Sequence, residues 1–140
     1  MDVSHIVDNI WIGDWRSALN TSFLQKNNIQ LVINTTPNRP IGTTSTIRLP
    51  LKNTERLIPL FQSNLPSLLV KMNTVVQKQK GILVHCSRGH RRSVSVVAAY
   101  LVNTLHMTPL DAISFISKRR SSIKPCVFYQ HLSKPRYGLL

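Results

Sequence analysis

Acidic side chains are scarce in this sequence of 140 residues, in which five Asp and Glu stand against 18 Lys and Arg. The formal net charge at pH 7 is therefore +13. A field of this sign attracts polyanions and speeds their encounter with the protein. The charge is consistent with a surface that keeps the protein soluble, and equally with an anionic partner such as nucleic acid or a phosphorylated surface. Net charge does not distinguish them, because it carries no information about geometry.

Cysteines and long apolar runs are scarce as well. Two cysteines, Cys86 and Cys126, are too few for a disulfide scaffold and fit a reducing compartment. The apolar runs are shorter than a membrane span, and the N-terminal MDVSHIVDNI lacks the basic start and the apolar centre of a signal peptide. We therefore expect a cytoplasmic or nuclear protein that is not secreted and has no membrane partner.

Hydrophobic residues make up 42% of the chain, so we expect residues 1–140 to form one domain that folds without metals or disulfides. Apolar periodicity predicts strands over residues 5–13, 31–33, 47–51 and 82–85, and helices over residues 17–27, 58–76 and 93–105. Pro66 is expected at a first turn or a kink. Further helices are predicted to begin at Thr108–Pro109 and to cover residues 129–133. This alternation of strands and helices indicates an α/β domain.

The stretch HCSRGHRRS, residues 85–93, directly follows a predicted buried strand and leads into a predicted helix. A helix N-terminus presents unpaired N–H groups and a partial positive charge, so a turn at this point can hold an anion. Cys86 lies at the floor of the turn, where the helix end and nearby cations lower the pKa of a thiol. The stretch therefore predicts a nucleophilic thiolate inside a site for a dianion.

Two residues that follow the cysteine suit the same chemistry. The planar guanidinium of Arg92 can hold two phosphate oxygens at once, which a lysine cannot do. The hydroxyl of Ser93 is well placed to donate to the sulfur and to stabilise a thiolate as it departs. The alternative for Cys86 is a small buried hydrophobic side chain, which is common for a lone cysteine.

The chain resembles the cysteine-dependent protein tyrosine phosphatases, whose signature H-C-x-x-G-x-x-R-[ST] is matched by His85, Cys86, Gly89, Arg92 and Ser93. Three more stretches resemble the dual-specificity branch: IVDNIWIGDWRSALN its opening strand and helix, IQLVINTT its second strand, and RRSSIKPCVFYQHL its R-P-x-x-x-P-N-x-G-F-x-x-Q-L segment. The resemblance implies a single compact α/β domain. Its central sheet would have four or five mostly parallel strands flanked by helices.

The resemblance also implies a role for each residue of the loop, and it implies neither a metal nor an organic cofactor. Cys86 would attack phosphorus, Arg92 would clamp the phosphate, and Ser93 would stabilise the departing thiolate. His85 would support the loop and the ionisation of the cysteine without reacting itself. The other loop residues would supply backbone N–H groups, with side chains pointing outward to shape the rim: Ser87, Arg88, Gly89, His90 and Arg91.

The sequence departs from the family at the general acid, which is an aspartate on a separate loop. The matching stretch IRLPLKNTERL has Asn53 at that position, and asparagine cannot donate a proton as an acid does. Glu55 is a candidate substitute, and the alternative, which we favour, is a solvated loop glutamate. A phosphoanhydride such as an RNA 5′-triphosphate would depend less on a general acid. Its leaving phosphate oxygen has a pKa near 6, whereas the phenol oxygen that leaves from phosphotyrosine has a pKa of about 10. A protein that binds phosphate with little turnover is the third possibility.

The function implied first is therefore a protein phosphatase acting on phosphotyrosine, with phosphoserine and phosphothreonine as further candidates. The alternatives are an RNA 5′-triphosphatase or diphosphatase of the same superfamily, and a phosphate-binding pseudophosphatase. The expected partner is a phosphorylated protein or an RNA 5′ end, and the short chain suits a viral or free-standing catalytic module. Four cations would contact a polynucleotide: Lys118, Arg119, Arg120 and Lys124. For the run of the first three, the alternative is a solvated helix end.

Cys126 follows Pro125, at the position where the family's R-P-x-x-x-P-N-x-G-F-x-x-Q-L segment has asparagine. We expect Cys126 to be a buried free thiol. A disulfide with Cys86 under oxidation is the alternative, because some members of the family pair the nucleophile with a second cysteine. Sequence alone does not place two cysteines within bonding distance.

Overall fold

The fold is taken from a computed structural model, which describes residues 1–133. Its five strands are β1 (Val3–Val7), β2 (Ile10–Gly13), β3 (Ile29–Asn34), β4 (Thr46–Arg48) and β5 (Gly81–His85). They form one sheet in the order β1-β2-β5-β3-β4, in which only β1 and β2 are antiparallel. The expected mostly parallel sheet of a compact α/β domain is thereby confirmed. Of the predicted domain, residues 134–140 lie outside the described part.

Four α-helices and three short 3₁₀ helices complete the architecture. The α-helices are α1 (Thr21–Lys26), α2 (Ile58–Gln77), α3 (Arg92–Asn103) and α4 (Pro109–Arg119). The 3₁₀ helices are Trp15–Leu19, Glu55–Leu57 and Val127–Gln130. None of the helices in residues 1–133 has the length and hydropathy that a bilayer crossing requires.

The side-chain alternation of the central strands separates two apolar layers. Ile82 and Val84 of β5 pack into the larger core with α2, α3 and α4. Leu83, between them, packs on the opposite face with Phe23 and Leu24 of α1. β5 is buried along its whole length, as is expected of a central parallel strand covered on both faces. Helices thus flank both sides of the sheet, as expected.

Two predicted elements are each divided in the structure. Residues 5–13 form the hairpin of β1 and β2 instead of one strand, with a turn at Asp8, whose φ is 49°. Aspartate tolerates this left-handed conformation, and apolar alternation does not reveal it. The predicted helix over residues 17–27 is interrupted at Asn20, whose side chain accepts a hydrogen bond from Phe23 N and begins α1. Leu19, predicted on the buried face, is 40% exposed.

Smaller differences concern prolines and the ends of elements. Pro66 lies inside α2, so a first-turn position for it is wrong; Pro59 occupies the first turn. β4 ends at Arg48, earlier than the predicted strand over residues 47–51, and the last short helix lies at Val127–Gln130. The predicted start of α4 is confirmed, because the Thr108 side chain accepts a hydrogen bond from the N–H of Asp111.

The sheet brings three loops to one edge. His85, the last residue of β5, pairs with Gly13 of β2 and with Asn34 of β3. The loops that follow these parallel strands therefore begin side by side at the carboxyl edge of the sheet. In open α/β sheets this edge is where ligands bind.

Candidate active site

The loop between β5 and α3, residues 86–91, directs its carbonyl groups away from its centre. Four consecutive carbonyl oxygens accept hydrogen bonds from groups outside the loop. Because the N–H and C=O of a peptide unit point in opposite directions, the N–H groups of this turn are directed to its concave side. The pairs are Trp15 N to Ser87 O (3.2 Å), Arg120 Nη2 to Arg88 O (2.9 Å), Arg120 Nε to Gly89 O (2.7 Å) and Lys124 N to His90 O (2.8 Å).

Arg120 holds this loop from behind, a role that the sequence patterns did not predict. Its side chain is buried, and its guanidinium also donates to Asp2 Oδ1 (3.0 Å), Asp2 Oδ2 (3.1 Å) and Ser4 Oγ (2.9 Å). Arg120 is therefore neither part of a solvated helix end nor available to a polynucleotide. Both expectations for the basic run are wrong for this residue. The signal was present in the sequence, because Arg120 occupies the arginine of the R-P-x-x-x-P pattern.

The neighbours of Arg120 in the basic run are arranged differently. Lys118 and Arg119 lie in the last turn of α4 and are exposed. The Arg119 guanidinium stacks over the Phe115 ring, 3.5 Å from its centroid, and Nη1 donates to Phe115 O. These two cations fit the solvated helix end.

The sulfur of Cys86 lies at the centre of the loop. It accepts a hydrogen bond from Gly89 N at 3.1 Å and lies 3.2 Å from the hydroxyl oxygen of Ser93. Burial by itself raises the pKa of this thiol. The Ser93 hydroxyl, the backbone N–H groups of Ser93 and Arg91, and the charge of Arg92 outweigh burial, so the pKa of Cys86 is lowered from its ordinary value. The loop therefore favours a thiolate.

Gly89 is required by the geometry of this turn. Its φ of +74° lies in the left-handed region, which residues with a Cβ rarely adopt. A Cβ at this position would lie 2.8 Å from the carbonyl oxygen of Gly13 and 2.7 Å from Nη2 of Arg120. The Gly13 oxygen is backbone and cannot move aside freely, so only glycine fits here.

His85 is fully buried beneath the loop. Its Nδ1–H donates to the carbonyl oxygen of Cys86 at 3.1 Å, and its Nε2 has no hydrogen-bond partner among residues 1–133. Burial lowers the pKa of His85 below its ordinary value, against an opposing contribution from the Cys86 carbonyl. The ring is therefore neutral near pH 7. It contacts the loop backbone and does not line the cleft.

Arg92 is the first residue of α3 and links two loops. Its Nη1 donates to Leu51 O at 3.0 Å, and its Nη2 lies 3.4 Å from Ser87 Oγ. The guanidinium is only half-buried and lines the cleft above Cys86. A cation that is fixed at both terminal nitrogens is already oriented before an oxyanion arrives.

An open cleft of about 310 Å³ lies over the sulfur. The structure brings together most of the predicted loop residues here, joined by Lys52 and Asn53: Cys86, Ser87, Arg88, His90, Arg91 and Arg92. Arg91 points away from the loop, because its Nε donates to Pro125 O at 3.0 Å. Arg88 and Arg91 are both exposed, as expected for side chains at a rim.

No carboxylate lines this cleft within residues 1–133. Asn53 does line it, and its Oδ1 accepts a hydrogen bond from Val127 N at 2.9 Å, which ties its loop to the last 3₁₀ helix. Glu55 begins the Glu55–Leu57 3₁₀ helix and is exposed outside the cleft. An amide thus lines the cleft at the position where the resemblance puts the family's general acid, and Glu55 does not line the cleft.

The structure also brings Arg39 next to the loop, which the sequence did not predict. Arg39, in the loop after β3, donates through Nε to Ser87 Oγ at 3.3 Å, and its guanidinium lies 4.8 Å from the centroid of the Trp15 ring. No motif in the sequence assigns Arg39 to the site. Because Arg39 and Ser87 are 48 residues apart, no local pattern could have joined them.

Both cysteines are free. Cys126 is half-buried, more accessible than the buried thiol that was expected, and Ser95 Oγ lies 3.4 Å from its sulfur. Ser95 belongs to α3, as does Ser93, which faces Cys86. The two sulfurs therefore have different hydroxyl neighbours on the same helix.

Comparison with known proteins supports the resemblance. The family model described as dual specificity phosphatase, catalytic domain, matches residues 10–134. Human dual specificity protein phosphatase 9 is 30% identical over an alignment of 127 residues, and the match covers 86% of this chain and 32% of that protein. Mouse dual specificity protein phosphatase 8 is 26% identical over an alignment of 129 residues, and the match covers 88% of this chain and 19% of that protein. The chain thus spans a third or less of the length of these relatives.

Solved structures agree on the fold. Human DUSP28 is 19% identical with a TM-score of 0.83, and the match covers 94% of this chain and 90% of that one. The human tyrosine phosphatase-like serine/threonine/tyrosine-interacting protein is 23% identical with a TM-score of 0.81, covering 94% of this chain and 92% of that one. At these identities the likeness concerns the architecture alone.

Proposed function

Since the chain belongs to the dual specificity phosphatase family, we propose that it is a cysteine-dependent phosphatase that hydrolyses phosphotyrosine in proteins through a thiophosphate intermediate on Cys86. The observation that carries the proposal is the sulfur itself. It is buried, its pKa is lowered, and it lies in a turn in which four consecutive carbonyl groups are held outward. The catalytic domain would extend over residues 1–140.

In the first step the Cys86 thiolate attacks phosphorus in line with the leaving oxygen. A sulfur–phosphorus bond forms, the phosphorus–oxygen bond breaks, and its electron pair stays on the leaving oxygen. The inward N–H groups of the loop and the guanidinium of Arg92 hold the three non-bridging oxygens. His85 supports the loop through its hydrogen bond to the carbonyl of Cys86.

In the second step water attacks phosphorus, and the sulfur–phosphorus bond breaks. The electron pair returns to the sulfur, where the Ser93 hydroxyl donates to the thiolate from 3.2 Å. Inorganic phosphate leaves, and the water proton passes to solvent because an asparagine, not a carboxylate, faces the cleft.

Because an amide and not a carboxylate lines the cleft, the leaving group determines which phosphorylated residues are hydrolysed efficiently. A phenolate, with a pKa of about 10, leaves without a proton far more readily than the alkoxide of serine or threonine. Phosphotyrosine is therefore the main substrate, and phosphoserine and phosphothreonine are turned over weakly. The partner is a phosphorylated protein, and the names of the relatives, which are protein phosphatases, support this. A thiolate nucleophile must stay reduced, which supports a location in the cytoplasm or the nucleus.

A second candidate, an RNA 5′-triphosphatase, is supported by one observation: the cleft has Lys52 and Asn53, and no carboxylate among the described residues. A phosphoanhydride leaves as a phosphate oxygen with a pKa near 6 and needs no general acid. The net charge of +13 would draw RNA to the cleft.

The test is a side-by-side measurement of phosphate release from a phosphotyrosine peptide and from a 5′-triphosphorylated oligoribonucleotide, at low and moderate salt. The Cys86→Ser protein is the blank, and it should retain oxyanion binding without turnover. Faster release from the peptide supports the protein phosphatase. Faster release from RNA that falls steeply with salt supports the second candidate. Release from neither substrate would mean a phosphate-binding pseudophosphatase.

A further inference from the structure

Hydrolysis of the thiophosphate intermediate needs an acceptor for a proton, even where that proton ends in solvent. Water that attacks phosphorus must lose a proton as the new phosphorus–oxygen bond forms, and a positioned base that takes it speeds the step. Asn53 lines the cleft where the resemblance puts the family's acid, and an amide does not take up a proton. The other side chains of the cleft therefore determine whether a base is available.

The cationic side chains of the cleft cannot take this proton. The ammonium group of lysine and the guanidinium group of arginine have N–H donors and no acceptor site. The acceptor must therefore be a neutral side chain. The cations excluded in this way are Lys52, Arg88, Arg91 and Arg92.

Three of the remaining side chains are unsuitable as well. The amide of Asn53 is not basic, and its Oδ1 already accepts a hydrogen bond from Val127 N. The hydroxyl oxygen of Ser87 accepts from two guanidinium groups. Cys86 is bonded to phosphorus at this stage and regains an electron pair when that bond breaks. Among the described residues that line the cleft, His90 is therefore the one with a basic site.

The backbone of His90 is held on the wall of the phosphate loop. Gly89, directly before it, donates through its N–H to the sulfur of Cys86 at 3.1 Å, and its carbonyl accepts from Arg120 Nε at 2.7 Å. The carbonyl of His90 itself accepts from Lys124 N at 2.8 Å. Since consecutive Cα atoms are about 3.8 Å apart, the imidazole extends from a fixed point next to a group that contacts the reacting sulfur.

The side chain of His90 lies between the cleft and a neighbouring recess of about 320 Å³, because it lines both. The buried sulfur of Cys86 forms the floor of the cleft. In an in-line displacement the leaving group departs opposite the sulfur, and water enters from that same side. A half-buried residue on the cleft wall can therefore reach the water, and the recess gives the proton a path to solvent.

The imidazole of His90 is in the form that accepts a proton. Burial lowers its pKa below 6.5, and three nearby cations lower it further, against one carboxylate. Among the described residues, neither ring nitrogen has a hydrogen-bond partner, so one nitrogen is free to accept from water near pH 7. The cations are Arg120, Lys124 and Arg88, and the carboxylate is Asp2. The recess brings three more charged groups: Asp14, Arg16 and Arg39.

We propose that His90 is the general base of the second step, in which it takes a proton from the water that attacks phosphorus. The inference rests on the proposed function, because it requires the thiophosphate on Cys86. The water oxygen bonds to phosphorus as one of its protons passes to a ring nitrogen of His90. The sulfur–phosphorus bond breaks, and its electron pair returns to the sulfur. The imidazolium then releases the proton to solvent, which restores the neutral base.

The kinetics of His90→Asn test the assignment with para-nitrophenyl phosphate, whose leaving group needs no proton. We expect hydrolysis of the intermediate to slow by about 100-fold, the lower end of a general-base contribution, and to limit kcat. A burst of nitrophenol should then precede slow turnover. The value of kcat/KM, which reports formation of the intermediate, should change little, so KM falls together with kcat.

The matched control is His106→Asn. His106 is exposed and lies outside the cleft. Its φ of 61° is left-handed, a conformation that asparagine tolerates. This variant should therefore leave both kcat and kcat/KM unchanged.

Two further readouts distinguish a base from a residue that only supports the loop. With His90 present, hydrolysis of the intermediate should slow as the pH falls below a pKa that lies under 6.5, and in His90→Asn this dependence should be absent. Imidazole added to His90→Ala should restore hydrolysis, and should restore more as rising pH removes its proton. The protein with His90 should not respond to added imidazole.

The possible failures are separable. Unchanged hydrolysis of the intermediate in His90→Asn, or His90→Ala without rescue by imidazole, would overturn the base and leave the proposed phosphatase function standing. An equal loss of kcat and kcat/KM together with weaker inhibition by orthovanadate would make His90 a support for the loop. A protein with His90 that gives neither a burst nor turnover would overturn the proposed function, and this inference with it.

Discussion

The hydroxyl oxygen of Ser93 lies 3.2 Å from the sulfur of Cys86, which makes it the one side-chain hydroxyl that contacts this sulfur among residues 1–133. When the thiolate is present the hydroxyl donates, so it would stabilise the charge that the sulfur regains in the second step of the proposed reaction. A hydrogen bond to a charged group of this kind contributes about 1.5–3 kcal/mol. The contact therefore bears on the ionisation of Cys86 and on its departure from phosphorus.

Ser93→Ala should slow hydrolysis of the thiophosphate by roughly 10- to 100-fold. It should also raise the pKa of Cys86, because a group that favours the thiolate is lost. With an aryl phosphate as substrate, a burst of phenol release followed by slow turnover would report the slower hydrolysis of the thiophosphate. The pH dependence of alkylation by iodoacetamide would report the raised pKa of Cys86. The matched control is Ser95→Ala on the same helix, whose hydroxyl faces Cys126 instead. Equal losses in both variants would contradict the assignment.

Acidification should destabilise the protein through His85. Burial lowers the pKa of this histidine from 6.5, so below pH 6.5 the unfolded chain binds a proton that the folded state resists. The stability is fully present above pH 6.5 and declines as the pH falls below it. Urea unfolding between pH 8 and 5 measures the decline, in the Cys86→Ser background so that the thiolate does not contribute.

The comparison protein for this measurement is His85→Asn in the same background. Its side-chain amide has an N–H for the Cys86 carbonyl and does not titrate. It should therefore lose less free energy of unfolding between pH 6.5 and 5 than the protein with His85. An identical decline in the two proteins would place the titrating group elsewhere.

Arg120→Lys should destabilise the fold by about 2–4 kcal/mol, because a lysine cannot bridge the two loop carbonyls, Asp2 and Ser4 together. The loop should also lose its preformed shape, so inhibition by orthovanadate should weaken. Urea unfolding and the vanadate inhibition constant measure the two effects. Arg119→Lys, at the exposed neighbouring position, should change both by little. Normal stability and normal vanadate inhibition of Arg120→Lys would show that the hydrogen bonds of Arg120 to the loop are dispensable.

Asn53→Asp should supply a carboxyl group at the mouth of the cleft. We expect kcat/KM for a phosphoserine peptide to rise by about 10- to 100-fold, and that for para-nitrophenyl phosphate to change little because its leaving group needs no proton. The acid acts in its protonated form, so the gain should diminish as the pH rises. Glu55→Gln should leave both substrates unaffected, since Glu55 lies outside the cleft. Loss of phosphotyrosine turnover in Glu55→Gln would instead identify Glu55 as the acid.

The elements that the sequence predicted well are those with dense local signals. α3 is apolar on nearly every side and is buried along most of its length. The Thr108–Pro109 start of α4 follows from capping chemistry within four residues. The elements that differed were divided by single residues, Asp8 and Asn20, whose backbone conformation and capping bond leave apolar periodicity unchanged. Apolar periodicity indicates which residues are buried, but it does not indicate where the chain turns.

The sequence by itself determined that residues 85–93 form a strand-to-helix turn with a thiol, an arginine and a hydroxyl in register, because these residues are contiguous. Only the tertiary structure decided what surrounds that turn. Arg120 lies 31 residues from Gly89, Arg39 lies 48 from Ser87, and Asn53 lies 74 from Val127. Each of these contacts depends on which loops the strand order brings to one edge of the sheet. Strand order follows from packing of the whole chain, which local patterns of side chains do not specify.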